Sequence, residues 1–204
     1  MKIRPELEIT VRHYSLLNVF KCMVHDVQES AVVIKLPKEC LRTSFLKGDP
    51  LVVAYEMEGL VQIMGGNIID FSHNEEQLIF VADVQDSDAR MRACERFPVS
   101  LYSDFKLAEG VGVKKCYALV KDISIYGMKI YARESYFKGQ KIYLDIFLTR
   151  DIMSMTAEIV RKVEYEGYIE YGLKIMHNGP TVLNHIKSFV RKSQQEHMIK
   201  FYRQ

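Results

Sequence analysis

Apolar residues along this chain fall into short runs separated by turn-forming residues, and the runs gather in two groups. In the first half, Ala31-Val32-Val33-Ile34-Lys35-Leu36 is a β-branched run closed by Pro37. Leu51–Glu56 is a second, opened by the turn Gly48-Asp49-Pro50. Leu60–Met64 and Gly66–Phe71 follow, then the polar turn Ser72–Glu76, and Leu78–Val84 returns. Thr10–Tyr14 and Phe20–Val24 are weaker strands of the same kind. Gly65-Gly66 lies inside this pattern with no helix after it, so a bulge or turn is expected there rather than a phosphate cradle. Short strands at close spacing predict a small barrel or sandwich.

The second group is cleaner. Phe97–Tyr102 alternates, with Pro98 near its start where no ladder donor is needed. Cys116–Ser124 is the next strand, Tyr126-Gly127 a turn or bulge, and Met128–Ala132 resumes the alternation. Lys138-Gly139-Gln140 turns the chain into Lys141–Leu148, and Met155–Val163 and Tyr168–Ile175 close the series. Strands joined by mostly short connections predict an antiparallel barrel. After Asn178-Gly179-Pro180 the period changes. Val182, Ile186, Phe189 and Val190 recur at helical spacing, which predicts an amphipathic helix over 181–204 packed across the barrel or onto a partner. Its Lys187, Arg191 and Lys192 read as a solvated face. The fold class is therefore mainly β, with two small antiparallel β-barrel domains at 1–87 and 88–204. The second ends in a C-terminal α-helix, and the polar stretch Asp83–Ala89 is the linker.

Composition narrows the function classes. With 204 residues, 48% of them hydrophobic, the chain can bury sizeable cores. A net charge of +2 gives no global basic field of the kind a general DNA binder carries, so nucleotide recognition has to be local. No apolar run reaches the roughly 18–20 residues that span a membrane, and the N-terminus lacks a signal-peptide core. Cys22, Cys40, Cys94 and Cys116 form no C-x-x-C pair and read as reduced thiols of a cytoplasmic protein. His13 and His25 lack the spacing of a metal pair, and a structural or exposed place is expected for each. No catalytic residues and no metal ligands are assigned. The Ser-His-Asp, H-E-x-x-H, Walker and dinucleotide-binding glycine patterns are not found at supporting spacing.

Two stretches carry candidate chemistry. Arg90, Arg92 and Arg96 fall within Arg90–Arg96, directly after the linker. On composition alone they are a solvated basic segment that neutralises Asp86 and Asp88. About one hairpin later comes Asp122-Ile123-Ser124-Ile125-Tyr126-Gly127. The order Arg92-x-x-x-Arg96, then Asp122-x-Ser124-x-x-Gly127, resembles the signature of PilZ domains, receptors for cyclic di-GMP. The resemblance covers about 88–180. Val99–Leu101, Gly127-Met128-Lys129-Ile130, Val160-Arg161 and Tyr171–Ile175 are similar to the family's strands. It implies that Arg92, Arg96, Asp122, Ser124 and Gly127 bind cyclic di-GMP, with Arg90 as an extra contact. No other cofactor is implied. Met91 offers no polar contact, and one ligand molecule or a stacked pair both stay open.

The residue types suit that ligand. Arginine presents a planar fork to guanine O6 and N7 or to phosphate oxygens, and its plane stacks on a base. Asp122 can accept from guanine N1–H and the amino group, and Ser124 can donate to a phosphate or base edge. Spacing i, i+2 puts both on one face of a strand. Gly127 permits positive φ or a close ligand approach.

The first half, with Ala31–Pro37 and the Phe45–Pro50 turn, is similar to the N-terminal barrel of YcgR-like flagellar brake proteins. That layout implies a cytoplasmic effector recruited to the flagellar motor. There it would bind a motor protein and regulate motility through a change of interdomain orientation, with no DNA partner and no membrane insertion. The other family-based expectations are an adaptor for exopolysaccharide synthesis or secretion and an adaptor that binds no ligand. Basic and aromatic residues interleave at Lys141-Ile142-Tyr143 and Lys200–Arg203, which also permits an RNA-binding barrel, although strand-core roles fit those aromatics better.

Overall fold

The structure, a computed structural model, describes residues 3–83, 94–108, 114–149, 151–176 and 180–202. The chain divides into two compact units. One comprises Met1–Ser87 with Lys192–Gln204, and the other Asp88–Arg191.

The first unit is a closed barrel of β1 (Glu8–Arg12), β2 (Phe20–Gln28), β3 (Ala31–Lys35), β4 (Pro50–Met57), β5 (Leu60–Ser72) and β6 (Gln77–Ala82). The order β1-β2-β3-β6-β5-β4 is closed by pairing of β1 with β4, where Val11 stands opposite Val53. Closure removes the sheet edges that a sandwich would leave. Ile9, Val32, Ile34, Val53, Ile68, Leu78 and Phe80 fill the interior. Each such side chain contributes about 1.5–3 kcal/mol on burial.

Gly65-Gly66 is neither turn nor bulge. β5 runs through it, and the register shift comes later, between Ile68 and Asp70. A Cβ on Gly66 would lie 2.1 Å from the Val81 carbonyl oxygen and 2.4 Å from the Phe80 ring. The missing side chain is the space that Phe80 fills, which makes this glycine a packing requirement.

The second unit repeats the architecture with β7 (Phe97–Leu107), β8 (Cys116–Ile123), β9 (Gly127–Ala132), β10 (Lys141–Phe147), β11 (Ile152–Tyr165) and β12 (Tyr168–Met176), in the closed order β10-β11-β12-β9-β8-β7. Its core includes Phe105, Val120, Ile123, Met128, Ile130, Ile142, Leu144 and Tyr171. Tyr171 is fully buried, and its hydroxyl accepts from the Tyr136 N–H at 2.8 Å and donates to the Glu134 carbonyl at 2.9 Å. One side chain thus satisfies two backbone groups of the loop after β9.

The C-terminal α-helix, α1 (Pro180–Tyr202), keeps its expected stripe. Ile186 and Phe189 join the second unit's core, with Val182 and Val190 packed beside them. The stripe continues as Ser193 and His197, both buried in the first unit. There His197 Nδ1 lies 2.8 Å from Thr10 Oγ1, and Arg12 pairs with Glu196.

Candidate ligand site on the second barrel

Strict alternation along β8 would bury Asp122. Cys116, Ala118 and Val120 point inward, so position 122 is next in phase. The register against β9 shifts between Val120 and Asp122, and the register against β7 shifts between Pro98 and Leu101. This bulge takes up Lys121 as the extra residue and sends Ile123 into the core instead. Asp122 is left on the outer surface with Pro98 on one side and Lys129 on the other.

Arg96, just before β7, reaches this carboxylate. Its Nη1 donates to Asp122 Oδ2 at 3.3 Å, with the arginine side chain 34% exposed and the aspartate 16%. The contact is long for a charge-assisted hydrogen bond. Arginine's guanidinium carries five N–H groups, and the contact with Asp122 uses one of its nitrogens.

Ser124 and Gly127 bond to each other across the turn that follows β8. The Ser124 hydroxyl is buried and donates to the Gly127 carbonyl at 3.0 Å. It also accepts from the Gly127 N–H at 3.1 Å, and the Ser124 N–H bonds the same carbonyl at 2.7 Å. These bonds tie the turn between β8 and β9. Gly127 is not among the residues of positive φ. A Cβ there would meet the Leu173 carbonyl oxygen at 2.4 Å, so the missing side chain permits a close approach of β12. Serine and glycine thus hold the end of β8, and Asp122 with it.

Arg90 and Arg92, with Met91 and the linker acids Asp86 and Asp88, lie outside the described residues. The structure brings Arg96, Asp122, Ser124 and Gly127 together. It adds neighbours that motif reading missed. Lys129 stands directly across from Asp122 and pairs with Glu170 at 3.5 Å. Lys121 lies over the Tyr131 ring at 5.4 Å. The signal for Lys129 and Tyr131 was their i, i+2 spacing on a strand paired with the motif strand.

A second polar cluster, in the first barrel, was hidden by sequence separation. Buried His13 bonds Asp49 through Nε2 at 3.2 Å and Ser15 through Nδ1 at 2.5 Å. Asp49 Oδ2 also accepts from the Tyr14 hydroxyl at 3.0 Å and the Leu46 N–H at 3.1 Å. With three donors on one oxygen and the imidazole tilted against the Phe45 ring at 5.0 Å, this cluster fastens two loops. His25 is exposed. All four cysteines are free. Among the described residues no cluster of His, Cys, Asp and Glu is placed to hold a metal ion, and no helix is long and apolar enough to cross a membrane.

The PilZ domain family model matches residues 91–192. Among solved structures, YcgR from Escherichia coli in complex with c-di-GMP is 12% identical over 96% of this chain and 87% of its own, with a TM-score of 0.47. The Bacillus subtilis inhibitor of motility, MotI/DgrA, is 13% identical over 96% and 99%, with a TM-score of 0.43. The K. pneumonia MrkH–c-di-GMP complex is 10% identical over 96% and 90%, with a TM-score of 0.42. No curated protein matches the chain.

Proposed function

The chain belongs to the PilZ domain family, and on that premise we propose that it is a cyclic di-GMP receptor that changes the relative orientation of its two domains on binding. The observation that carries the reading is the Arg96–Asp122 pair on the outside of the second barrel. A guanine binds there by its two edges. Asp122 accepts from N1–H and the exocyclic amine, which a phosphate cannot offer. Arg96 stacks on the base or forks onto O6 and N7. Arg92 and Arg90 supply cations for the phosphates, and Lys129 stands across the strand pair where it can add a third. Ser124 and Gly127 act by holding the turn that aims Asp122.

Both phosphates of the ligand need cations, and those cations sit on the segment that joins the domains. Drawing Arg90–Arg96 over the ligand commits that segment to one path, and the domains follow. The chain passes between the units twice, at Ser87–Asp88 and at Arg191–Lys192. A separate barrel ahead of the PilZ barrel is the layout of YcgR-like brakes. From it we extend the reading to a protein partner in the flagellar motor and regulation of motility. Small-angle scattering with and without saturating cyclic di-GMP tests the switch. A shifted interdomain distance distribution is expected. An unchanged distribution in a sample shown to be saturated overturns the reorientation and leaves simple ligand capture.

A further inference from the structure

We propose that the outer face of β7, β8 and β10 is a docking surface for an arginine-bearing segment of a partner protein. Alternation on β7 turns Ser103 and Phe105 inward and sets Tyr102 and Asp104 on the outside. Register places Asp104 opposite Tyr117 on β8 and opposite Asp145 on β10. Tyr102 touches Tyr117 at 5.7 Å and Phe147 at 5.6 Å between ring centroids, and Phe147 stands across from Ile152 on β11. An aromatic row therefore crosses three strands on the solvent side. Tyr117 is 63% exposed, Ile152 59% and Tyr143 48%. A contiguous apolar strip of this kind on an outer barrel face marks an interaction surface.

The polar groups inside the row say what kind of partner fits. Asp104 and Asp145 are a directly opposed like-charge pair, an arrangement that destabilises a sheet by itself. Asp145 Oδ1 accepts from Ser154 at 2.6 Å, and Asp104 Oδ2 pairs with Lys115. Asp104 Oδ1 is buried and has no hydrogen-bond partner among the described residues, and the side chain is 8% exposed. A buried carboxylate oxygen left unmet is costly and calls for a donor. The donor must reach it among tyrosine rings. A guanidinium does both, because its plane stacks on an aromatic face while its edge N–H groups fork onto carboxylates. The face already holds a cation in this manner, since Lys106 Nζ lies over the Tyr143 ring at 5.9 Å. An outside guanidinium reaches this carboxylate by displacing Lys115, whose side chain is 55% exposed, and its fork then serves both oxygens of Asp104. A phosphate-bearing partner would meet two carboxylates at the centre of the row.

The test is an NMR titration of the full chain with the blocked peptide acetyl-Gly-Arg-Gly-Arg-Gly-amide and with its citrulline counterpart. Saturable shifts on β7, β8 and β10 are expected for the arginine peptide. The citrulline peptide should bind at least about tenfold more weakly, because its neutral ureido group lacks the positive charge and the full donor fork of the charge-assisted contact. Asp104→Asn should weaken arginine-peptide binding by a similar factor. Tyr117→Ala, a change at an exposed ring, should weaken it several-fold with the melting midpoint unchanged, and it stands as the test if Asp104→Asn misfolds. Equal binding of both peptides, undiminished binding by Tyr117→Ala, or shifts confined to the Arg96–Asp122 end overturns the proposal. So does concentration-dependent self-association through this face, or capture there of a single-stranded oligouridine in place of the peptide.

Discussion

His197 sits where a proton cannot follow it. It is 1% exposed, with Nδ1 on the Thr10 hydroxyl, and Arg12 lies two residues further along β1. Burial, and then the Arg12 charge, hold its pKa down to about 4 from the ordinary 6.5. Between those values the unfolded chain binds a proton at this position and the folded chain does not. Stability contributed here is therefore present above pH 6.5 and lost as the pH falls toward 4. At about 1.4 kcal/mol per pH unit, the window corresponds to about 3 kcal/mol, roughly three quarters of it gone by about pH 4.5. Arg12 and Glu196 face the same spot, so their own titration must be separated out. His197→Gln does this, because it keeps a hydrogen-bonding group and removes the titration. The assay is urea unfolding at several pH values from 7 to 4, followed by far-UV circular dichroism. Wild type should lose about 2–3 kcal/mol relative to His197→Gln over that range, in the transition that reports the first barrel. A difference that stays flat within about 0.5 kcal/mol would refute the buried neutral imidazole and the docking of the helix end on β1.

Two substitutions probe the frame of the ligand site and the loop beside it. Gly127→Ala drives a Cβ to 2.4 Å from the Leu173 backbone oxygen, so β9 and β12 must part. It should cost about 1–3 kcal/mol in unfolding free energy and also weaken cyclic di-GMP binding, and calorimetry showing neither effect contradicts the close-approach argument. Tyr171→Phe removes the hydroxyl that serves Tyr136 and Glu134, which should cost about 1–3 kcal/mol by urea unfolding. Wild-type stability would mean the loop after β9 finds those bonds elsewhere.

Most of the strands were legible because each is short, β-branched and bounded by turn residues. Ala31–Leu36 became β3 and Lys141–Leu148 became β10, each within one residue. The helix was legible from four apolar positions. Barrel closure was not, because β1 meets β4 and β7 meets β10 across long sequence separations that no local pattern encodes. The continuation of the helix stripe was also hidden, since Ser193 and His197 are polar and their burial depends on Thr10 and Arg12 far away in the chain. Gly65-Gly66 misled because a glycine pair signals a turn, whereas Gly66 makes room for Phe80 on a neighbouring strand. At the site, the two motif stretches meet through the Arg96–Asp122 contact. The motif did not show that a bulge is what turns Asp122 outward, nor that Ser124 spends its hydroxyl on the turn.

The central claim is that Arg96 and Asp122 recognise cyclic di-GMP. Calorimetric titration of that ligand into wild type and into Arg96→Ala tests it most directly. The account predicts saturable heat with the wild type and an affinity at least about tenfold lower in the mutant, since a charge-assisted, forked contact is lost. No heat from folded wild type, or equal affinity in Arg96→Ala, would contradict it.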